Sequence, residues 1–325
     1  MVSEVFVTRK IPNIGIKLIS ERFDVDVWSL ERPPTIEEII RRADGCTGLV
    51  TLLTDTIDGE VLASLPNLRV IAQYAVGYDN INISEATRRG IIVTNTPGVL
   101  TETTADFTWA LILATSRRIV EADRYIRDKR WNVAWGPEML LGTDVHGATL
   151  GIIGMGRIGQ AVARRSQGFN MKLLYTSRTR KERIEDELHA KHVDLQTLLR
   201  ESDIVTVHVP LNSETQNLIG EKELEMMKGD SILINTSRGG VIDEDALFLA
   251  LKKGVIGCAG LDVFREEPIP KDSPLLELQN VVIVPHIGSA SKNTRATMSR
   301  MCAENLIAAL EGRRPPNIVN SEVYE

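Results

Sequence analysis

The stretch Gly151 to Gln160, GIIGMGRIGQ, does most to narrow what this 325-residue chain can fold into. It sets Gly154, Gly156 and Gly159 directly after a short apolar run, ATLGIIG, and at the start of a helical pattern. Each glycine has a separate reason to be there. The first permits a tight turn, the second lets backbone amides approach a pyrophosphate, and the third lets the helix pack on the strand. A merely tight strand–helix turn needs only one of the three. The helix N-terminus adds N–H donors and the positive end of a dipole, so the spacing predicts a dinucleotide site.

The strand predicted next ends LLYTSRTRK, which puts Ser177, Arg178, Thr179, Arg180 and Lys181 where a dinucleotide fold commonly keeps an acid for the ribose hydroxyls. A carboxylate there repels a 2′-phosphate. This cluster attracts one, and a guanidinium holds it through paired hydrogen bonds. NADP(H) is therefore expected ahead of NAD(H). The competing reading is a solvated basic turn balanced by Glu182.

Short β-branched runs alternate with helical patterns along the whole chain, which is the pattern of an α/β protein with parallel sheets. EVFVT, GLVTLL, RVIAQYAVG and GIIVTN predict one small doubly wound sheet. ATLGIIG, KLLYTS, DIVTVHVP, SILINT, GCAGLDV and VVIVPH predict a second, matching two mononucleotide-binding halves. Between them, VLTETTADFTWALILATSRRI predicts one long helix with Thr101 and Thr103 as N-cap candidates. A last helix is expected from about Ser289 to Glu311, closed by Gly312.

A chain of this length accommodates two domains, and 43% hydrophobic with 25% charged residues is ordinary for a soluble globular protein. The net charge of −6 argues against a nucleic-acid binder. The N-terminus lacks a signal-peptide core and no run reaches the length of a membrane span, so a cytoplasmic protein without a membrane partner is expected. Cys46, Cys258 and Cys302 fit neither metal-ligand nor redox spacing and read as small core residues, so no metal is expected.

Arg238, Glu267 and His286 follow three predicted strands of the second set at their carboxyl ends, where open α/β sheets bind ligands. Hydride transfer to a ketone leaves negative charge on oxygen, and a histidine suits the proton donor's task near neutral pH. A carboxylate at its other nitrogen fixes the ring and favours its charged form. An arginine beside it clamps a 2-oxo acid. His146, His189, His192 and His208 read as packing or surface residues, His189 and His192 lying one helical turn apart on an exposed face.

Seven ordered blocks, YAVGYDNINI, GIIVTNTPGVLTETTADF, LGIIGMGRIGQAVARR, LLYTSRTRK, ILINTSRGGVIDEDAL, AGLDVFREEP and VPHIGSAS, resemble the D-isomer-specific 2-hydroxyacid dehydrogenase family, most closely its glyoxylate/hydroxypyruvate reductase branch. The resemblance implies NADPH-dependent reduction of glyoxylate to glycolate and hydroxypyruvate to D-glycerate. It makes Arg238 the substrate-binding arginine, Glu267 the histidine's partner, with Glu266 its rival, and His286 the proton donor. Val76, Gly77 and Leu53 fall in loops that face the substrate. Thr104 and Asp262 match positions at the nicotinamide end, Met155, Arg157 and Ile158 match the phosphate turn, and Thr236, Ser237 and Gly288 join the cofactor contacts. Trp135 resembles a tryptophan that reaches across a dimer interface.

The same resemblance implies a Rossmann-type cofactor domain, residues 100–288, inserted in a discontinuous flavodoxin-like substrate domain, residues 1–99 and 289–325, and a homodimer. A compact phosphoglycerate dehydrogenase and a dinucleotide-sensing corepressor are the alternatives. Formate dehydrogenases carry glutamine in place of the glutamate, so Glu267 argues against them.

Overall fold

The structure, a computed structural model, describes residues 4–325. The chain forms two compact units, one ending at Leu100 and resuming over Ala290–Glu325, the other spanning Thr101–Ser289.

The first unit holds a five-stranded parallel sheet: β1 (Val5–Val7), β2 (Val25–Val27), β3 (Gly48–Thr51), β4 (Val70–Gln73) and β5 (Ile92–Thr94), in the order β2-β1-β3-β4-β5. Runs such as VFV and VIAQ are buried throughout, as parallel strands covered on both faces require. The period of two sends Phe6, Leu49 and Ile71 into one core and Val5, Val7, Val50, Val70 and Ala72 into the other. Met298, Cys302 and Leu306 of the helix Lys292–Leu310 complete the second core. Burial of that face brings the C-terminal segment back to the sheet with which the chain began. Ser291 caps the helix by accepting the Thr294 N–H at 3.2 Å, and Gly312 ends it at φ +76°.

The second unit contains β6 (Thr149–Ile153), β7 (Lys172–Thr176), β8 (Lys191–His192), β9 (Ile204–Val207), β10 (Ile232–Asn235), β11 (Cys258–Leu261) and β12 (Val281–Ile283). Their order is β12-β11-β10-β9-β6-β7-β8, all parallel. Read from β8, this is the doubly wound dinucleotide order with one more strand beside β11. Its reversal point lies between β6 and β9.

Several sequence expectations need correction. β2 and β8 were not expected: VDV carries an acid bound by Arg42, and β8 is two exposed residues. His189 and His192 therefore share no helical face. His189 ends the helix Glu182–Leu188 at φ +53°, and His192 lies in β8. The expected long helix is present as Thr101–Ser116, and a second helix that was not expected, Ile119–Arg127, follows it after Arg118 adopts φ +51°. Thr101 and Thr103 sit inside the first turn and do not precede it. Among the described residues no helix is long and apolar enough to cross a membrane.

Candidate active site

The glycine turn follows β6. Gly154 has φ +100°, a region L side chains rarely adopt, and a Cβ there would lie 2.7 Å from the His208 backbone. A Cβ on Gly159 would lie 2.1 Å from the Gly154 carbonyl, so the helix Arg157–Ser166 packs against the turn only with glycine at that place. Gly156 is the N-cap, and the space a Cβ would enter is open to 4 Å. That gap, the first-turn N–H groups and the absence of an acid in that turn fit a pyrophosphate. Met155 turns its side chain into the core and Ile158 packs partly against it, so both offer backbone only, whereas Arg157 is exposed.

Beyond β7 the two arginines part company. Arg180 is bound to Glu185 through Nε at 2.9 and 3.0 Å and Nη2 at 2.6 Å. Glu185 also accepts the Tyr175 phenol at 2.6 Å, and the Lys181 N–H donates to that phenol at 2.7 Å. The Arg180 bond first and the Tyr175 bond second hold the Glu185 carboxyl down at about 2. Arg178 is 83% exposed, with its nearest acid, Glu214, at 3.8 Å. Glu185, five residues on from Arg180, is the balancing acid in place of the Glu182 named from sequence. The Ser177 hydroxyl donates to the Thr179 carbonyl at 2.8 Å, and the Ser177 carbonyl lies 3.2 Å from His192 Nε2.

Arg238, Glu267 and His286 follow β10, β11 and β12, which are neighbours in the sheet. His286 Nδ1 lies 2.7 Å from Glu267 Oε2, and the Phe264 N–H donates to Glu267 Oε1 at 3.1 Å. Burial pushes the Glu267 carboxyl up, but the hydrogen bond and charge of His286, the Phe264 N–H and the charge of Arg238 outweigh it, leaving the carboxyl below its ordinary range. Glu266 is exposed, and the bond to His286 is made by Glu267. A Cβ on Gly239 would stand 1.9 Å from the Phe264 carbonyl carbon, so the loop carrying Arg238 lies directly on the turn carrying Glu267. Asn235 holds this loop: its Nδ2 donates to the Arg238 carbonyl at 2.9 Å, and its Oδ1 accepts the Ser237 N–H and hydroxyl at 3.0 and 2.9 Å.

Asp262, 1% exposed, accepts the Ile287 and Gly288 N–H groups at 2.7 and 2.8 Å, while its carbonyl accepts the His286 N–H at 2.9 Å. Burial raises its carboxyl pKa against those two bonds. A Cβ on Gly288 would meet Asp262 Oδ2 at 3.0 Å and Thr104 Cγ2 at 3.5 Å, which places these three side by side. The Thr236 and Thr108 hydroxyls share a bond of 3.0 Å, and Thr108 also donates to the Thr104 carbonyl at 2.8 Å. The backbone of His208 lines the glycine turn, but its ring takes no part in the His286–Glu267 pair. Burial drives His208 down to about 3, so it is a neutral ring bonded to Thr206 Oγ1 at 3.0 Å.

In the first unit Leu53 follows β3, and Val76 and Gly77 follow β4; all three are half-buried. Trp135 is 75% exposed. Asn235 and Asn95, neither singled out from sequence, organise the loops around the expected residues. Their signal, an asparagine directly at a strand end in LINTS and VTNTP, was present in the chain.

A seven-stranded parallel sheet with a dinucleotide turn at its reversal point, and a histidine–carboxylate pair at neighbouring strand ends, defines an NAD(P)H-dependent oxidoreductase. The family model for D-isomer specific 2-hydroxyacid dehydrogenase, NAD binding domain, matches residues 109–288. The chain belongs to the D-isomer-specific 2-hydroxyacid dehydrogenase family. It is 59% identical to a glyoxylate reductase from Korarchaeum cryptofilum over 325 residues, covering 100% of this chain and 98% of that protein. A glyoxylate reductase from Thermococcus litoralis is 53% identical, with 99% and 98% covered. Among solved structures, the NADPH-dependent glyoxylate/hydroxypyruvate reductase from Sinorhizobium meliloti, in complex with NADP and malonate, is similar at 32% identity and a TM-score of 0.87, with 99% and 98% covered.

Proposed function

We propose that this protein reduces glyoxylate to glycolate, and hydroxypyruvate to D-glycerate, with NADPH preferred to NADH and His286 as proton donor. The observation that carries the reading is the 2.7 Å His286–Glu267 pair beside Arg238, in a chain 59% identical to a glyoxylate reductase. Residues 100–288 hold the dinucleotide, with Gly154, Gly156, Arg157 and Gly159 around its pyrophosphate, Ser177, Arg178 and Thr179 at the 2′-phosphate, and Thr104, Thr236, Ser237, Asp262 and Gly288 toward the nicotinamide. Residues 1–99 and 289–325 serve the substrate. The bound reduced cofactor supplies the hydride that reaches the carbonyl carbon.

Everything else falls to the chain's own side chains and backbone amides. Arg238 binds the 2-oxo acid through a charge-assisted pair of hydrogen bonds, and the Val76 and Gly77 N–H groups receive the carboxylate, with Leu53 alongside. Negative charge develops on the former carbonyl oxygen, and His286 gives it the proton on Nε2. Glu267 at Nδ1 keeps the ring in its donating form and orientation. A homodimer in the cytoplasm is part of the same reading: Ile119, Ile126, Trp131, Val133 and Leu141 expose apolar surface in the unit that carries Trp135, a surface suited to a partner copy.

The test is a set of initial rates with glyoxylate, hydroxypyruvate, pyruvate and 3-phosphohydroxypyruvate, each with both reduced cofactors. Highest kcat/KM for glyoxylate and hydroxypyruvate with NADPH is expected. A clear preference for 3-phosphohydroxypyruvate, or no turnover of any 2-oxo acid, overturns the reading.

A further inference from the structure

The Val76 and Gly77 N–H groups find no acceptor among the described residues. Both residues are half-buried, so these two successive donors are open to an acceptor from solvent or a ligand. Their direction is set from behind. A peptide unit is planar and trans, so its N–H points opposite to its C=O, and whatever grips the carbonyl aims the amide. The Ala75 carbonyl, which shares a unit with the Val76 N–H, accepts the Thr96 N–H at 2.8 Å. The Val76 carbonyl, which shares a unit with the Gly77 N–H, accepts Asn95 Nδ2 at 2.8 Å. Both donors thus face away from the segment that follows β5. Gln73 repeats the device one unit on, its Nε2 lying 3.2 Å from the Gly77 carbonyl.

Asn95 is itself held at both ends of its backbone. Its N–H donates to the Asn317 carbonyl at 3.1 Å, and its carbonyl accepts Asn305 Nδ2 at 2.9 Å. Asn305, 1% exposed in the C-terminal helix, takes the Asn317 N–H and side-chain amide on its Oδ1 at 3.3 and 3.1 Å. The carboxamide of Asn95 therefore projects from a fixed backbone to the Val76 carbonyl.

We propose that Asn95 is a positioning residue for substrate binding: by gripping the Val76 carbonyl it aims the Gly77 N–H at the carboxylate of the 2-oxo acid, which it does not itself touch. The proposal rests on the carboxylate role assigned above to the Val76 and Gly77 amides. Losing the grip frees the peptide unit to rotate, so the carboxylate is bound less well in ground state and transition state alike. KM rises while kcat at saturation holds.

Asn95→Leu removes the donor at similar volume, and Asn95→Ser keeps a hydroxyl of shorter reach. For the leucine variant, KM for glyoxylate and the dissociation constant of oxalate, titrated calorimetrically into the NADPH-saturated enzyme, should both rise about tenfold. KM for NADPH should stay within about twofold, and the serine variant should fall between leucine and parent. A merely structural role lowers the melting temperature and leaves the glyoxylate KM and oxalate constant at parent values; that result in either folded variant overturns the proposal. A parent enzyme that binds oxalate but does not turn over glyoxylate removes the functional reading, and the oxalate comparison still decides the role of Asn95.

Discussion

At His286 the backbone adopts φ +52°, a left-handed conformation that costs a non-glycine residue on the order of 1–2 kcal/mol. Asp262 holds it there by taking the next two N–H groups on its carboxylate and the His286 N–H on its carbonyl. The ring is thereby presented to Glu267 from a backbone with little freedom to relax. The side chains that meet were legible because each follows a recognisable strand run, but a carboxylate's choice of backbone amides leaves no trace in composition. The basic turn makes the same point. Two arginines two residues apart looked equivalent, and tertiary contact with Tyr175 and Glu185 separates them. Arg178→Ala should therefore raise KM for NADPH much more than KM for NADH, by about one order of magnitude for a lost charge-assisted phosphate contact. Arg180→Ala should change that ratio less, and adding it to Glu185→Ala should bring little further change. Steady-state kinetics with both cofactors decides it, and a larger ratio change from Arg180→Ala than from Arg178→Ala would reverse the assignment.

The elements that present the site are β10, β11 and β12, and the loops leaving the first two touch at Gly239 and Phe264. A methyl group has no room at that contact. Gly239→Ala should push the Arg238 loop off the Glu267 turn, costing about 1–3 kcal/mol of stability and lowering kcat/KM for the 2-oxo acid while NADPH still binds. Thermal melting together with cofactor titration measures both, and unchanged turnover would show that this approach does not set the site. At this scale the sequence was most readable where strands are buried on both faces, since VFV, GLVT, TLGII and ILIN are unbroken runs. It was least readable at two of the four sheet edges, whereas the apolar edge strands β5 and β12 were read from GIIVTN and VVIVPH. β2 and β8 carry charges or solvent-facing residues, and their place is fixed by pairing with β1 and β7. The break at Arg118 has no glycine or proline to announce it.

Across the whole molecule, the return of the last helix to the first sheet was implied by the family resemblance of the seven blocks and not by any pattern in the helix itself; Met298, Cys302 and Leu306 pack there against Val5, Val7 and Val50. A pH–rate profile belongs to this scale, since it sums every group that must be correctly charged for turnover. Glu267 sits below the ordinary carboxylate range, so it is ionised through neutrality, and its contribution to stability is present above that range and lost only as pH falls through the depressed value. Within that window its anion stands 2.7 Å from His286 Nδ1. The most direct measurement is kcat/KM for NADPH-driven glyoxylate reduction against pH in the parent and in Glu267→Gln. Removal of the anion should move the high-pH decline of the variant to lower pH, with activity surviving on the acid side. Superimposable high-pH limbs would contradict a protonated His286 held by Glu267 as the source of the proton.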